Sequence, residues 1–288
     1  MGSPVSENAG ILYIVATPIG NLSDISERAI QVLTEVDVIA AEDTRHTRQL
    51  LSHFAIRQTL ISVHEHNETQ QLDHLLTRLA DGESIALVSD AGTPLISDPG
   101  YVLVKAAREK GISVSPIPGP CALIAALSVS GLPTDHFRFE GFLPHKRSAR
   151  QVLLQSVSEE TVTMVFYESS HRIKETLEDM CTCLGADREA VLGRELTKLY
   201  ETVLGSTLRQ ILDAVEADDN QRRGEFVLMV HGADASQRSE IQDADPLLKL
   251  LLSELPMRKA SGVAAKYLGL SKNDVYKRAM VLKGDAEE

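Results

Sequence analysis

The stretch IALVSDAGTPLISDPG, residues 85–100, ends a short apolar run in a loop holding Asp90, Gly92, Thr93, Pro94, Asp98, Pro99 and Gly100. Glycine and proline at such a place make a tight turn that a ligand can approach closely at the end of a buried strand. The loop has no lysine to hold a phosphate and does not spell G-x-G-x-x-G. Its acids suit a neutral or cationic ligand, or a hydroxyl or amine in need of an acceptor. TPIGN (17–21) ends an earlier apolar run in the same manner, and PGP (118–120) ends a later one. One such loop alone is best read as turn chemistry. Two of them at the same edge of a sheet, with the third turn, point to a ligand crevice.

Three polar clusters stand apart from these turns: EDTRHTR (42–48), HEHNE (64–68) and YESSHR (167–172). The first reads equally well as a solvated helix start with i, i+4 ion pairs. His64, Glu65 and His66, with His46, raise the question of a metal, since alternate residues of a strand share a face. No second ligand set has recognisable spacing, so no metal is expected.

Positioning these residues takes a regular scaffold. The chain has 288 residues, 43% of them hydrophobic, enough for a core and for two domains or one with an appendage. Its first basic residue is Arg28, and no apolar run approaches a membrane span. Cys121, Cys181 and Cys183 form no disulfide framework and read as packing residues in a reducing cytosol, so a cytoplasmic protein without a membrane partner is expected. Strands are expected at 11–17, 36–41, 59–63, 84–89 and 112–118, alternating with helices, the first opened by a capping box at Asp24 and Glu27. That alternation predicts a mainly parallel sheet covered on both faces. From Gly119 the texture changes: a small-residue helix to Gly131, a loop over 133–150, strands at 161–169, 189–196 and 225–232, and helices near 170–184 and 207–217. The expected domains are 10–118, 119–233, a linker at 234–245 and a basic helical unit at 246–284.

That last segment carries eight basic and two acidic side chains, +6 on a chain of −12, so the remainder carries −18. Ala265, Gly269 and Val275 fall where a helix-turn-helix places a small residue, a turn glycine and an apolar residue of its second helix. Arg258, Lys259, Lys266, Lys272, Lys277 and Arg278 are the expected nucleic-acid contacts, weighed against a helical hairpin with solvated lysines.

LYIVATPIGNLSDIS, EDTRHT, VSDAGTP, PGPCALIAALSVSGLP, FYESSHR and GREL, in this order, resemble the tetrapyrrole methylase superfamily, and within it a branch that 2′-O-methylates a cytidine of 16S ribosomal RNA. The resemblance spans about residues 10–283. It implies an α/β protein of two α/β domains with S-adenosylmethionine in the cleft between them, a homodimer, and a small C-terminal helix-turn-helix-like domain. Carried over residue by residue, Pro18, Asp90, Gly92, Thr93, Cys121, Ala122, Tyr167 and Leu196 would bind the cofactor. The superfamily's glycine-rich first loop is TPIGN here, with one glycine. A ribose hydroxyl is a poor nucleophile and needs a proton acceptor. Glu42 or His64 is expected in that role, with Arg45 and Arg172 clamping phosphate or ribose. The partner is then 16S rRNA, within the small ribosomal subunit. A tetrapyrrole methylase would have no use for the basic tail, and a ligand-sensing DNA-binding regulator no use for polar clusters beside the cleft.

Overall fold

The structure, a computed structural model, describes residues 10–64, 66–234 and 244–284, of which 283 and 284 in backbone only. Glu65 and most of the expected linker lie outside the described residues. The described residues form two compact units, divided between His231 and Gly232.

In the first unit β1 (Ile11–Val15), β2 (Val38–Ala41), β3 (Thr59–Ser62), β4 (Ile85–Val88) and β5 (Ser113–Ile117) form an all-parallel sheet in the order β3-β2-β4-β1-β5. Strand residues alternate strictly between two cores, as a sheet buried on both faces requires. Ile39, Ala41, Ala86 and Val88 pack with Ala29, Val32 and Leu33 of α1 (Glu27–Glu35) and Leu51 of α2 (Thr44–His53). Val38, Ala40, Ile85 and Leu87 pack instead with Leu75, Leu76 and Leu79 of α3 (Glu68–Ala80) and Leu103 of α4 (Tyr101–Glu109). The adjacent strands β1 and β4 send their helices to opposite faces, which opens a crevice at their C-terminal ends.

Five further strands, β6 (Phe137–Phe142), β7 (Thr163–Ser169), β8 (Glu189–Arg194), β9 (Thr202–Thr207) and β10 (Glu225–Val230), make a second sheet in the order β6-β7-β10-β8-β9. Only β6 and β7 run parallel. The mainly parallel sheet expected over 11–118 is the first one, which is wholly parallel, while the second is mostly antiparallel. Helices α6 (Arg147–Ser156), α7 (Ile173–Leu184) and α8 (Leu208–Ala217) cover one face. The other face is covered by α5 (Ala122–Ser130), whose Leu123, Ala126 and Leu127 meet Val165, Val191, Val227 and Met229. Cys181 is buried in the α7 core and Cys183 packs against it; both are free thiols.

Two local expectations are corrected. The α1 N-cap is Ser26, whose Oγ accepts the Ala29 N–H at 3.1 Å, while Asp24 ends a separate 3-10 turn capped by Asn21. The stretch 133–150 is not a loop: it holds β6 and the start of α6, and β9 went unpredicted too. Both strands are sheet edges, where polar residues such as Arg138, Glu140 and Ser206 replace the apolar run.

The second unit contains α9 (Asp245–Glu254), α10 (Met257–Leu268) and α11 (Lys272–Gly284) around Leu248, Ala264, Ala265, Val275 and Ala279. Gly269 closes α10 with φ +72°, the left-handed cap that lets the chain turn into α11. Ala265, Gly269 and Val275 thus occupy the helix, turn and helix positions read from the sequence. Among the described residues, no helix is long and apolar enough to cross a membrane.

Candidate active site

The loops after β1 and β4 are tied to each other by backbone. Thr17 N–H donates to Gly92 O at 2.8 Å and Gly92 N–H returns to Thr17 O at 3.0 Å. Gly92 sits at φ +82°, and a Cβ there would stand 3.3 Å from Ile19, so glycine is what lets the two turns close on each other. The rest of the β4 loop is strained as well, with Leu95 at φ +73° and Ser97 at φ +65°. Opposite, Glu195 and Thr197 flank Leu196 at φ +48° and +67°. Non-glycine residues held there cost energy, and such positions gather at ligand sites.

Between these loops lies a cleft of about 490 Å³. Asp90, Gly92, Thr93, Cys121, Ala122, Tyr167 and Leu196 all line it, so seven of the eight expected cofactor residues are brought together. Pro18 is not on the lining; its neighbour Ile19 is. Thr93 Oγ1 donates to Pro120 O at 3.0 Å, fastening the β4 loop to the start of α5. Tyr167 Oη accepts the Leu123 N–H at 3.0 Å, satisfying one of the open donors at that helix end. Burial holds its phenol above the ordinary range. Phe139 and Phe142 meet the Tyr167 ring edge-on, at 4.9 and 5.7 Å between centroids.

The cleft is acidic. Glu42, Asp90, Asp98, Glu168 and Glu225 line it with one cation, Lys198. Glu195 and Glu225 are spent on that lysine at 2.8 Å each and Glu168 on Arg172, which leaves Glu42, Asp90 and Asp98 as the lining acids outside an ion pair among the described residues. Glu42 Oε2 accepts the Asp90 N–H at 3.3 Å, and Asp90 Oδ1 accepts the Asp43 N–H at 3.0 Å. Burial raises the Glu42 carboxyl, with the Asp90 charge adding to it and His64 opposing. Asp98 is pushed up to about 6 by burial and by the charges of Glu42 and Asp90. Two like charges close to a third ionise reluctantly, and a cation among them relieves that cost. Asp98 belongs to the same 85–100 loop, and left-handed Leu95 and Ser97, which residue pattern does not foretell, turn the chain that brings it to the lining.

Of the four expected catalytic residues, Glu42 alone lines the cleft. Arg45 is 84% exposed and paired with Asp43 at 2.7 Å. His64 is two residues past the end of β3, close enough to Glu42 to affect its carboxyl, with a buried Nδ1 that has no protein partner among the described residues. Arg172 is committed inside the second sheet's half: Nη2 donates to Leu143 O at 2.7 Å and to Glu168 Oε2 at 3.1 Å, and Nη1 meets His145 Nδ1 at 3.1 Å. It pins the loop before α6, so the geometry does not support the expected clamp. Asn67 and Glu68 of the HEHNE cluster are braces too: Asn67 Oδ1 accepts the His64 N–H, and buried Glu68 accepts the Leu103 N–H at 3.0 Å. Among the described residues no group of His, Cys, Asp or Glu has the arrangement of a metal site.

In the second unit Arg258, Lys259, Lys266 and Lys272 line one shallow depression. Lys277 is exposed outside it. Arg278 is corrected from contact residue to brace, because Nε and Nη2 bind the Asp245 carboxylate at 2.8 and 2.5 Å and tie α11 to α9.

Residues 11–212 match the family described as Tetrapyrrole (Corrin/Porphyrin) Methylases. The chain belongs to the tetrapyrrole methylase family. Residues 239–283 match the RsmI C-terminal HTH domain. Within the family the chain is similar to proteins named Ribosomal RNA small subunit methyltransferase I. That of Escherichia coli O157:H7 is 52% identical and is matched over 96% of each chain. That of Vibrio cholerae is 53% identical over 95% of each. Among solved structures, uroporphyrin-III C-methyl transferase from Thermus thermophilus, complexed with S-adenyl homocysteine, matches with a TM-score of 0.53 at 16% identity, over 77% of this chain and 97% of that one. This last likeness bears on the methylase fold alone.

Proposed function

We propose that this chain transfers the methyl group of S-adenosylmethionine to the 2′-hydroxyl of a cytidine in 16S ribosomal RNA, acting on the small ribosomal subunit. The observation that carries the reading is the match, along nearly the whole chain and through the basic helical tail, to relatives named for methylation of small-subunit ribosomal RNA.

The cleft residues fit a cationic donor. Glu42, Asp90 and Asp98, acids outside any ion pair among the described residues, line a cavity of about 490 Å³, within the ordinary size for a cofactor site. S-adenosylmethionine supplies, when bound, a methyl group activated by a positive sulfur. Asp90, Gly92 and Thr93 of the β4 loop, Cys121 and Ala122 at the head of α5, Tyr167 and Leu196 hold it. The paired turns and α5 fix the position of that wall, and aligning donor with acceptor is most of what an in-line transfer asks of a protein. Glu42, on the lining and raised by burial, accepts the proton of the ribose hydroxyl. His64, off the lining, stands where it opposes the rise of the Glu42 carboxyl.

A tetrapyrrole substrate is disfavoured by the basic three-helix unit, and a regulator by the acids converging on the cleft. We place the protein in the cytoplasm as a homodimer. Leu199, 89% exposed, and Tyr200 on the β8–β9 connection, with Val203 of β9, form the apolar surface that a second copy would cover.

The test supplies labelled S-adenosylmethionine and small subunits from cells lacking this protein. Label at a cytidine ribose oxygen is the expected result; label on a base, or in no RNA, overturns the proposal.

A further inference from the structure

Helix α10 has a narrow inner face of small residues and a basic outer one. Ala260, Ser261, Ala264 and Ala265 turn inward, and Arg258, Lys259, Gly262, Val263, Lys266 and Tyr267 form the opposite wall. That wall and Lys272 of α11 enclose an open depression of about 880 Å³. Lys272 reaches back across it: a Cβ built on Gly262 would stand 3.9 Å from its ammonium nitrogen. Among the described residues none of the four cations has an ion-pair partner. Tyr267, 79% exposed, stands among them with its ring open to solvent.

The second helix of the motif, the one that ordinarily enters a duplex groove, is built differently. Its exposed positions are Lys272, Asn273, Tyr276, Lys277, Met280 and Val281; Lys272 belongs to the depression and Arg278 is spent on Asp245, which leaves Lys277 as the exposed cation of its other side among the described residues. The larger group of cations available to a phosphate backbone therefore borders the α10 depression. Cations flanking an exposed aromatic ring are the arrangement that holds unpaired nucleotides, phosphates on the cations and a base stacked on the ring.

We propose that the α10 depression is a binding site for single-stranded RNA, with Tyr267 as the base platform and Arg258, Lys259, Lys266 and Lys272 as phosphate contacts, and that α11 is not a duplex-reading helix. The inference rests on the ribosomal RNA reading for its biological partner, but its chemistry is tested separately. A short labelled single-stranded RNA, and the same strand annealed to its complement, are titrated with the full-length protein at several salt concentrations.

Tyr267→Ala weakens single-strand binding about tenfold and leaves duplex binding unchanged, while Tyr267→Phe binds like wild type. Lys266→Ala lowers the steepness of log affinity against log salt by about 0.7, the share of one phosphate, and Lys277→Ala lowers it by less. Unaltered melting curves for each variant separate loss of contact from loss of fold. Equal affinity of Tyr267→Ala and wild type for the single strand, a preference for duplex, or a slope change in Lys277→Ala as large as in Lys266→Ala overturns the site. Methyl transfer to small subunits by the wild type is followed alongside. Its absence would overturn the proposed reaction, whereas the titrations alone decide the depression.

Discussion

The Asp90 carboxylate accepts the backbone N–H of Asp43 at 3.0 Å, so the acid at the tip of the β4 loop also braces the entry to α2. Asp43 in turn caps that helix, its Oδ1 accepting the Arg45 N–H at 2.8 Å. One side chain thus does two things, and substitutions can separate them. Asp90→Asn keeps an acceptor oxygen and loses the charge; it should weaken S-adenosylmethionine binding in calorimetry and leave the melting temperature close to wild type. Asp90→Ala loses both and should also cost about 1 kcal/mol of stability in denaturant titration. Cofactor affinity unchanged in both variants would mean that the cleft has been misassigned.

Asp98 gives the cleft a pH dependence. Its carboxyl titrates at about 6 in the fold against an ordinary 3.8, so the fold prefers it protonated. Its contribution is favourable below pH 4 and is lost progressively as pH rises from about 4 to about 6. Asp98→Asn should therefore raise the melting temperature at pH 7 and leave it nearly unchanged at pH 4. A bound cation favours the ionised acid, so wild-type cofactor affinity should strengthen as pH rises through 6 and that rise should flatten in Asp98→Asn. Melting curves and calorimetry across this pH range check both signs.

Arg172 is a brace for Glu168, whose buried carboxylate also accepts from Thr176 Oγ1 at 2.6 Å. Arg172→Ala strands that charge and should cost about 3 kcal/mol in chemical denaturation, as breaking one partner of a buried pair does. Preserved stability with selective loss of RNA methylation would restore the clamp.

Tyr167→Phe removes the hydroxyl that accepts the Leu123 N–H while keeping the ring against Phe139 and Phe142. A loss of about 1 kcal/mol is expected, since one helix-terminal donor is left open. The readout is the denaturant midpoint, with the cofactor affinity of the variant measured beside it.

Much of this protein is written in local pattern. Continuous apolar runs at 38–41 and 85–88 specify strands buried on both faces, and Leu72, Leu75, Leu76 and Leu79 specify the stripe of α3, because such patterns are properties of neighbours in the chain. Motif order carried the family, the acid-tipped loop and most of the cofactor wall. Gly269 announced the turn of the tail, since the left-handed region favours glycine.

Tertiary structure decided which charges are free to act. Arg172, Arg278 and Glu68 look from the sequence like any exposed polar side chains, but partners distant in the chain, His145, Asp245 and Leu103, commit them to bracing. Asp98 became part of the site for the converse reason. Backbone turns that no periodicity encodes swing it beside Glu42 and Asp90, where burial and like charge change its chemistry. Sequence fixes a side chain's type and its near neighbours; whether its charge is spent, buried or available depends on contacts that only folding makes.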